Sequence, residues 1–253
     1  MSRQKLGQHF LIKGSVLERI ARALCPDREE LVVEIGPGRG ALTRKLLDRA
    51  ARVVAIELDH ELVEYMRQKF SAEPRLEVVE ADALETDLAQ WGPAALAGNL
   101  PYYAATPILQ KTLRAQYRRA VYLIQKEVAE RVVAAPGRRE YGFLSVETAL
   151  FAQAKLLFEV KPAAFHPPPK VDSAVVQLEP ASNQMDAPEA FLQFVSRAFR
   201  HKRKTLRNNL ADFYGPDVVD SWPEAGMRAE QISVDRFMEI YRRTAAAPTT
   251  SMT

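Results

Sequence analysis

The first two thirds of the chain alternate short runs of apolar or β-branched residues with longer segments in which apolar residues recur every three or four positions. This alternation predicts strands joined by helices, and therefore an α/β fold built on a doubly wound parallel sheet. The predicted strands cover Leu31 to Ile35, Arg52 to Ile56, Arg75 to Val79, Ala94 to Ala97 and Ala120 to Ile124. The predicted helices between them cover Ser15 to Leu24, Ala41 to Arg49, His60 to Phe70 and Thr106 to Ala115.

Beyond Gln125 the pattern predicts two more helices and two extended segments. One helix runs to Val133 and the other from Gly142 to Ala152. The extended segments, Ala154 to Val160 and Ser173 to Leu178, flank a proline-rich loop, and we expect them to form an antiparallel pair that closes the sheet.

The segment Pro180 to Pro188 has the composition of a linker, and the pattern beyond it is helical. We therefore predict two domains, a large one over residues 1–180 that carries the sheet and a small all-helical one over residues 188–245. The remaining residues, 246–253, are small or polar and are expected to form a disordered tail.

The composition is that of an ordinary globular protein, with 47% hydrophobic and 26% charged residues. No apolar run reaches the roughly 18 residues that a membrane span needs, and the first residues lack the apolar stretch of a secretory signal. We therefore expect a cytoplasmic protein with no membrane partner. Cys25 is the only cysteine, and the four histidines have no spacing typical of a zinc site, so neither a disulfide nor a metal is expected.

The net charge of +3 is too small to indicate a nucleic-acid partner, but the distribution of the charge is informative. Between Ala190 and Ala211 there is no acidic residue, and six cations crowd into the stretch. Such a cluster is typical of a surface that contacts phosphates, although a solvated helix face can have the same composition. The candidate phosphate-binding residues are Arg197, Arg200, Lys202, Arg203, Lys204 and Arg207.

A glycine-rich segment, Glu34-Ile-Gly36-Pro-Gly38-Arg-Gly40, follows the first predicted strand and opens a helix. Glycine lets the backbone approach a ligand that a Cβ atom would exclude, so we expect a nucleotide-like ligand at the end of this strand. The segment alone does not distinguish NAD, FAD and S-adenosylmethionine, and it is also compatible with a simple tight turn.

Two acidic residues follow the next two predicted strands. Glu57 ends the second strand, at the place where a carboxylate binds ribose hydroxyls, and Asp82 lies just past the third, where it can accept from an adenine amine. Taken singly, Glu57 is compatible with a solvated strand end and Asp82 with a helix cap. Because ligands bind outside the carboxyl ends of parallel strands, we expect Gly36, Glu57 and Asp82 to converge on one site.

The sequence Asn99-Leu100-Pro101-Tyr102 comes immediately after the fourth predicted strand. The exocyclic amine of adenine is a poor nucleophile because its lone pair is delocalised into the ring. A site that methylates it needs hydrogen-bond acceptors for the amine and an aromatic face for the base. The Asn99 side-chain oxygen and the Leu100 carbonyl can be the acceptors, and Tyr102 can stack on the base. The structural alternative is a turn in which Asn99 is a cap and Tyr102 packs on the core.

These and further motifs resemble the bacterial small-subunit (16S) rRNA adenine dimethyltransferases, whose relatives include the macrolide-resistance 23S rRNA methyltransferases and the mitochondrial transcription-factor-like enzymes. The resemblance extends from Lys5 to about Arg243, nearly the whole chain. It implies a Rossmann-like methyltransferase sheet with a small helical domain, and S-adenosyl-L-methionine as the cofactor. The motifs that carry it are Leu6-Gly-Gln-His-Phe-Leu11, Val33-Glu-Ile-Gly-Pro-Gly38, Ile56-Glu-Leu-Asp59, the Asn99 motif, Gln125-Lys-Glu-Val128, Tyr141-Gly-Phe-Leu-Ser145 and Phe165-His-Pro-Pro-Pro-Lys-Val-Asp-Ser-Ala-Val175.

By this resemblance the N-terminal segment contributes to the cofactor site, and Phe165 forms a second aromatic wall of the target-base pocket, opposite Tyr102. From the residues alone, Phe165 is a core residue beside a proline-rich loop. His9 stands where many relatives have Asn, and Tyr103-Ala104-Ala105 replaces the commoner Asn-Ile-Ser, a change in the target loop rather than in the chemistry. The implied catalytic residues are Asn99, Leu100, Tyr102 and Phe165, and the implied cofactor contacts are His9, Leu11, Gly36, Gly38, Glu57, Asp82, Ala83 and Asn99.

The resemblance also implies a substrate, two adjacent adenosines in a hairpin loop near the 3′ end of 16S rRNA, in the 30S or pre-30S particle. Each would be dimethylated at N6, with a role in small-subunit biogenesis. Thr106-Pro107, the Pro-Pro-Pro-Lys run and the basic stretch Arg197 to Asn209 favour this substrate over 23S rRNA. The basic stretch, taken as one helix, would bind rRNA phosphates, and we expect a monomer.

Three other functions stay open on the sequence. They are a 23S rRNA adenine methyltransferase that confers macrolide resistance, an RNA-binding ribosome assembly factor whose methylation is dispensable or lost, and an NAD-dependent oxidoreductase. The intact Gly36, Glu57, Asp82, Asn99 and Tyr102 argue against lost activity. An oxidoreductase gives no reason for the Asn99 motif.

Overall fold

A computed structural model of the chain describes residues 9–181, 185 and 188–246. The predicted alternation of strands and helices is confirmed, and the element ends differ from the predicted ones by a few residues. The strands are β1 (Phe10–Leu11), β2 (Glu29–Ile35), β3 (Ala50–Glu57), β4 (Leu76–Glu80), β5 (Ala94–Asn99), β6 (Tyr117–Gln125), β7 (Ala152–Val160), β8 (Phe165–His166) and β9 (Ser173–Pro180). The α-helices are α1 (Gly14–Leu24), α2 (Ala41–Leu47), α3 (His60–Lys69), α4 (Ala105–Arg114), α5 (Lys126–Val133), α6 (Phe143–Phe151), α7 (Pro188–Ala198), α8 (Leu206–Tyr214), α9 (Pro216–Asp220) and α10 (Val234–Ala246).

The main sheet has seven strands in the order β4-β3-β2-β5-β6-β9-β7. The first five in this order pair in parallel, whereas β9 is antiparallel to both β6 and β7, which confirms the predicted antiparallel pair. The chain runs outward from β2 to β4 and then returns to β5 on the other side of β2. This reversal leaves a crevice at the carboxyl ends of β2 and β5, where doubly wound sheets bind their ligands.

The central strands are apolar along most of their length. Neighbouring residues of a strand point to opposite faces of a sheet, and the neighbours Val32 and Val33 of β2, like Val53 and Val54 of β3, are fully buried. Both faces of the sheet are therefore covered. Each such side chain contributes about 1.5–3 kcal/mol by leaving water, so the sheet is a stable platform for the loops at its ends.

A second, two-stranded sheet joins the N-terminal segment to the proline-rich loop. Strand β1 is antiparallel to β8, with Phe10 opposite His166 and Leu11 opposite Phe165. The backbone N–H of Ile12 extends the pairing by donating to the carbonyl of Ala164 at 2.9 Å. Neither strand was predicted from the sequence, because two residues are too few for a periodic pattern.

The chain divides into two compact units, of which the first contains the main sheet. This catalytic unit comprises the described residues of 1–130 and 152–180, and the helical unit comprises those of 131–151 and 181–253.

The helical unit includes α6, which the predicted boundary at residue 180 had placed in the first domain. The difference has a physical cause. Helix α6 is buried on most of its surface, and Val146 and Leu150 pack in one apolar core with Phe191, Phe194 and Phe237. The pattern along the chain indicates that α6 is buried, but only the packing shows which core receives it.

Parts of the predicted linker and tail are outside the described residues. Residues 182–184 and 186–187 of the linker lie outside the described residues, as does the predicted tail 246–253 apart from Ala246, the last residue of α10. In the described part of the chain, no helix has the length and apolar character needed to cross a membrane.

Candidate active site

The residues predicted to bind a cofactor meet at the carboxyl ends of the parallel strands. Strand β2 lies between β3 and β5, so the glycine-rich loop has Glu57 on one side and Asn99 on the other. The backbone N–H of Gly38 donates to Oε2 of Glu57 at 3.1 Å. On the other side, the Asn99 carbonyl oxygen lies 3.8 Å from the position that a Cβ atom on Gly36 would take. The topology thus assembles one crevice from segments that are distant in sequence.

The glycine-rich loop has a backbone that other residues rarely adopt. Gly36 and Gly38 have φ angles of +67° and +56°, in the left-handed region. A Cβ atom on Gly38 would also lie 3.0 Å from the ring of Phe10, which packs over the loop from β1. The N-terminal strand therefore covers the loop closely, and glycine is what permits the approach.

Glu57 is held in place by backbone N–H groups. Its Oε1 accepts from Leu58 at 2.9 Å and from Asp59 at 3.1 Å, while Oε2 accepts from Gly38. Burial raises the pKa of this carboxyl above its usual range, and the three backbone donors lower it in part. Because Oε2 accepts one of these bonds and has two lone pairs, it keeps the capacity to accept from a ribose hydroxyl.

Asp82 and Ala83 form the turn that follows β4. Oδ1 of Asp82 accepts from the Leu84 N–H at 2.8 Å, and the Asp82 carbonyl accepts from the Thr86 hydroxyl at 2.7 Å. These are the bonds of a residue that caps a turn. The Asp82 and Ala83 side chains stay half-buried at the edge of the crevice, and their contact with an adenine stays a prediction.

The side-chain amide of Asn99 has a defined orientation. Its Nδ2 donates to the backbone carbonyl of His9 at 2.9 Å. A carbonyl oxygen only accepts, so the amide must turn its nitrogen towards His9 and its oxygen away. The preceding Gly98 lets β5 lie close to β2, because a Cβ atom there would be 2.6 Å from the Ile35 carbonyl oxygen. Asn99 is therefore placed with Oδ1 as its available acceptor.

Tyr102 is fixed at both ends of its side chain. Its hydroxyl lies 2.9 Å from Oγ of Ser173, and its ring lies 5.7 Å from the imidazole of His9 with a tilt of 35°. The ring remains half-buried, so one part of it can meet a base. The hydroxyl end packs against buried Ser173, as the structural alternative describes, and contact of the remaining face with a base stays a prediction.

Leu11, Leu100 and Phe165 are buried, with exposed fractions of 4%, 1% and 3%. Leu11 and Phe165 pair across the small sheet and belong to the apolar core of the catalytic unit. This is the location of a core residue, as the residues alone had indicated for Phe165. Its part in holding the target base, and that of Leu11 in holding a cofactor, stay predictions.

Sequence reasoning missed three residues at this site. Ser173 has no local signal, because its hydrogen bond with Tyr102 spans 71 residues. Glu34 lies in the glycine-rich segment, and the sequence predicts no role for it. It is buried, and its carboxylate accepts from the Thr43 hydroxyl at 2.6 Å. Burial, with a smaller contribution from the charge of Glu57, raises its pKa to about 7. Tyr103 is 62% exposed. Its pKa is raised, first by the desolvation of the part that is covered and then by the negative charges of Asp82 and Glu57.

The basic stretch of the helical unit is not one helix, contrary to the prediction. Helix α7 ends at Ala198 and α8 begins at Leu206, and residues 199–205 form a loop between them, here called the basic loop. Thr205 caps α8, which explains why the helix begins where it does. The basic loop presents exposed cations, namely Arg200, Lys202, Arg203 and Lys204.

The basic loop is held by a buried asparagine. Asn209 of α8 is 4% exposed, and its Nδ2 donates to the carbonyls of Ala198 at 2.8 Å and His201 at 3.2 Å. Its Oδ1 accepts from the His201 N–H at 3.2 Å. The shape of the loop is thus set by side-chain bonds as well as by its own backbone.

Three of the six predicted phosphate-binding residues have other partners. Lys202 donates to the Arg139 carbonyl at 2.8 Å. Arg207 forms an ion pair with Asp220, at 2.9 Å between Nη2 and Oδ2, so an acid from outside the basic stretch neutralises this cation. Arg197 stacks on the ring of Phe213 at 4.6 Å and donates to the Tyr214 hydroxyl at 3.1 Å.

Comparison with known proteins gives matches over nearly the whole chain. The family model described as ribosomal RNA adenine dimethylase matches residues 1–246. The "Ribosomal RNA small subunit methyltransferase A" of Bordetella bronchiseptica is 43% identical and covers 97% of this chain and 95% of its own. The protein of the same name from Thermotoga maritima is 38% identical and covers 95% and 85%.

Solved structures show the same fold. A dimethyladenosine transferase from Plasmodium falciparum superposes with a TM-score of 0.79 at 26% identity, covering 94% of this chain and 98% of its own. The 23S rRNA methyltransferase ErmE superposes with a TM-score of 0.72 at 29% identity, covering 93% and 99%.

Proposed function

Since the chain belongs to the ribosomal RNA adenine dimethylase family, we propose that it methylates adenosine in the RNA of the small ribosomal subunit. It is an S-adenosylmethionine-dependent enzyme. The amines that it modifies are the N6 groups of two adjacent adenosines in a hairpin loop near the 3′ end of 16S rRNA, in the 30S or pre-30S particle. Both become dimethyladenosine. The observation that carries this function is the orientation of the Asn99 amide, with its oxygen available for an amine.

The crevice fits S-adenosylmethionine by the chemistry of its donors and acceptors. At Gly36 the loop has no Cβ atom that would exclude a ligand, and Glu57 keeps a lone pair on Oε2 for the ribose. The set of proposed cofactor contacts is completed by His9, Leu11, Gly36, Gly38, Asp82, Ala83 and Asn99. When bound there, the cofactor supplies an electrophilic methyl group.

The last residue of β5 and the turn that follows it prepare the amine for this methyl group. Oδ1 of Asn99 and the carbonyl of Leu100 accept hydrogen bonds from the amine, which draws its lone pair out of conjugation with the ring. Tyr102 holds the base from one face, and Phe165 is proposed to hold it from the other. After the first methylation one amine hydrogen is left, so a single acceptor must suffice for the second transfer.

The helical unit supplies the surface for the particle. We assign phosphate contacts first to Arg200, Arg203 and Lys204 of the basic loop, because they are exposed on a loop of defined shape. Arg207, Arg197 and Lys202 contribute less, because each already has at least one partner within the unit. An enzyme that acts on this particle is expected as a monomer in the cytoplasm, where the particle is assembled.

The alternative substrate, 23S rRNA, has weaker support. One structural relative, at 29% identity, is named as a 23S rRNA methyltransferase. The relatives with higher sequence identity, 43% and 38%, are named as small-subunit methyltransferases. A binding factor without activity has no need of an oriented Asn99.

Incubation with labelled S-adenosylmethionine tests the proposal. Unmethylated 30S, 50S, naked 16S and naked 23S RNA are offered separately, and the modified bases are mapped. We expect label on two adjacent adenosines of 16S rRNA in the 30S particle, and none on 23S rRNA. Asn99→Ala should reduce transfer by on the order of a hundredfold while particle binding persists. Label in 23S rRNA, or equal activity of Asn99→Ala, contradicts the proposal.

A further inference from the structure

His9 lies where three segments of the catalytic unit meet. It precedes β1, faces the loop after β8 and reaches the turn after β5. Three separate contacts join it to these segments, one through its side-chain nitrogen, one through its backbone carbonyl and one through its ring.

The first contact fixes the imidazole. Nδ1 lies 2.8 Å from the backbone carbonyl oxygen of Pro167. Since that oxygen can only accept, Nδ1 must carry the hydrogen. The bond spans 158 residues and ties the N-terminal segment to the loop that follows Phe165.

The second contact fixes Asn99. The His9 carbonyl accepts from Nδ2 of Asn99 at 2.9 Å, and it thereby keeps Oδ1 of Asn99 turned away. An isolated asparagine can exchange its nitrogen and oxygen by rotation at small cost. In this chain the rotated form would set two oxygens against each other, so the position of the His9 backbone selects the useful form.

The third contact is with Tyr102, whose ring centre lies 5.7 Å from that of His9. A displacement of His9 would therefore change the acceptor and the aromatic face of the proposed base pocket together.

We propose that His9 is a positioning residue: its bond to Pro167 holds the backbone carbonyl that orients the Asn99 amide. This inference rests on the proposed function in one respect only, which is that the group accepted by Oδ1 of Asn99 is the amine of adenosine. The essential feature of the side chain is then an N–H donor at the δ position, and not the aromatic ring.

A pair of variants separates the donor from the ring. His9→Asn keeps an N–H donor at the δ position and removes the ring, and His9→Phe keeps a ring and removes the donor. We expect His9→Asn to retain about a third or more of kcat, and His9→Phe to lose about tenfold, the scale of removing one hydrogen bond of this kind. The comparison is made in kcat at saturating S-adenosylmethionine, because the bond acts on Asn99, and a rise in the KM for the cofactor from the separately proposed His9 contact does not enter it.

Amide hydrogen exchange tests the same inference without activity. In His9→Phe, the N–H groups of Ile12 and Lys13, which donate to the Ala164 carbonyl, should exchange about tenfold faster. In His9→Asn they should exchange as in the unmodified protein.

Each outcome decides the matter. Equal kcat at saturating S-adenosylmethionine and equal exchange in the two variants overturn the positioning role of His9, and so does a loss confined to the KM for S-adenosylmethionine, which would leave only the cofactor contact already proposed for it. If the unmodified protein methylates no 30S particle, the proposed function fails, while the exchange measurement still decides the role of His9.

Discussion

The hydroxyl of Tyr102 and the hydroxyl of Ser173 lie 2.9 Å apart and form a hydrogen bond across 71 residues of sequence. Tyr102 is on the turn after β5, and Ser173 is the first residue of β9 and fully buried. The antiparallel strand that closes the sheet therefore sets the angle of the aromatic ring proposed to hold the target base.

Ser173→Ala is expected to reduce kcat/KM for the particle about three- to tenfold, since it removes one hydrogen bond that orients Tyr102. Tyr102→Phe should have a similar effect, and the double variant should be no worse than either single one, because both remove the same bond. Steady-state methylation of 30S particles measures this. Ser71→Ala, at an exposed position after α3, is the control. Additive losses in the double variant would show that the two residues act separately.

Glu57→Gln should weaken binding of S-adenosylmethionine about ten- to a hundredfold. Three backbone N–H groups point at the Glu57 carboxylate, and a glutamine NH2 cannot accept from them. Isothermal titration with the cofactor gives the affinity, and binding to the 30S particle should be unchanged. Glu61→Gln, exposed in the first turn of α3, is the matched control. Unaltered cofactor affinity in Glu57→Gln would remove Glu57 from the site.

The parts of this site that the sequence predicts are those carried by local patterns. The glycine-rich loop, Glu57 and Asn99 each follow a strand whose apolar run is visible by itself, and parallel topology then brings the strand ends together. The contacts of Asn99 with His9 and of Tyr102 with Ser173 depend on strand register over 90 and 71 residues, for which the sequence has no local signal. The same holds for α6, whose burial is visible in its pattern but whose partners are not.

For the basic stretch the local pattern gave a wrong prediction. Its composition suggested a continuous helix, but Thr205 caps a new one, and Asn209 draws the backbone before it into a loop. Side chains of this kind compete with helix formation by bonding the backbone directly.

Glu34→Gln should make the protein less sensitive to pH. The pKa of Glu34 in the folded protein is about 7, above the usual 4.5, chiefly because of burial. Between these values the folded state keeps a proton that the unfolded state has lost, so this residue lowers the stability of the folded state as the pH rises from 4.5 to about 7. The destabilisation by this carboxyl approaches an upper limit of about 3 kcal/mol above pH 7.

Urea unfolding at a series of pH values measures this effect. The free energy of unfolding of Glu34→Gln, relative to the unmodified protein, should rise between pH 4.5 and 7 and be constant outside that range. Glutamine can still accept from the Thr43 hydroxyl, so the local packing is kept. Glu30→Gln, exposed on the same strand, should show no such rise. A difference that does not depend on pH would mean that Glu34 is ionised throughout.

The cations of the helical unit should differ in their effect on particle binding. Arg203→Gln with Lys204→Gln should weaken binding and reduce the slope of log K against log salt by between about 0.7 and 0.9 for each phosphate that is no longer neutralised. Arg207→Gln should change this slope less, because its guanidinium is paired with Asp220. Filter binding of 30S particles over a range of salt concentrations gives the slope for each variant. An equal change in slope would show that Arg207 leaves Asp220 when RNA binds.

Asn209→Leu should weaken particle binding although it alters no charge. Leucine has the same branched shape as asparagine and suits the buried position, but it cannot bond the backbone of Ala198 and His201, so the basic loop loses the bonds that shape it. We expect about a three- to tenfold loss of affinity for the 30S particle, with cofactor affinity unchanged. Asn208→Leu, at the exposed neighbouring position, is the control. Because the cations themselves are kept in Asn209→Leu, an unchanged affinity would mean that their charge alone binds the particle, and that the shape of the loop contributes nothing.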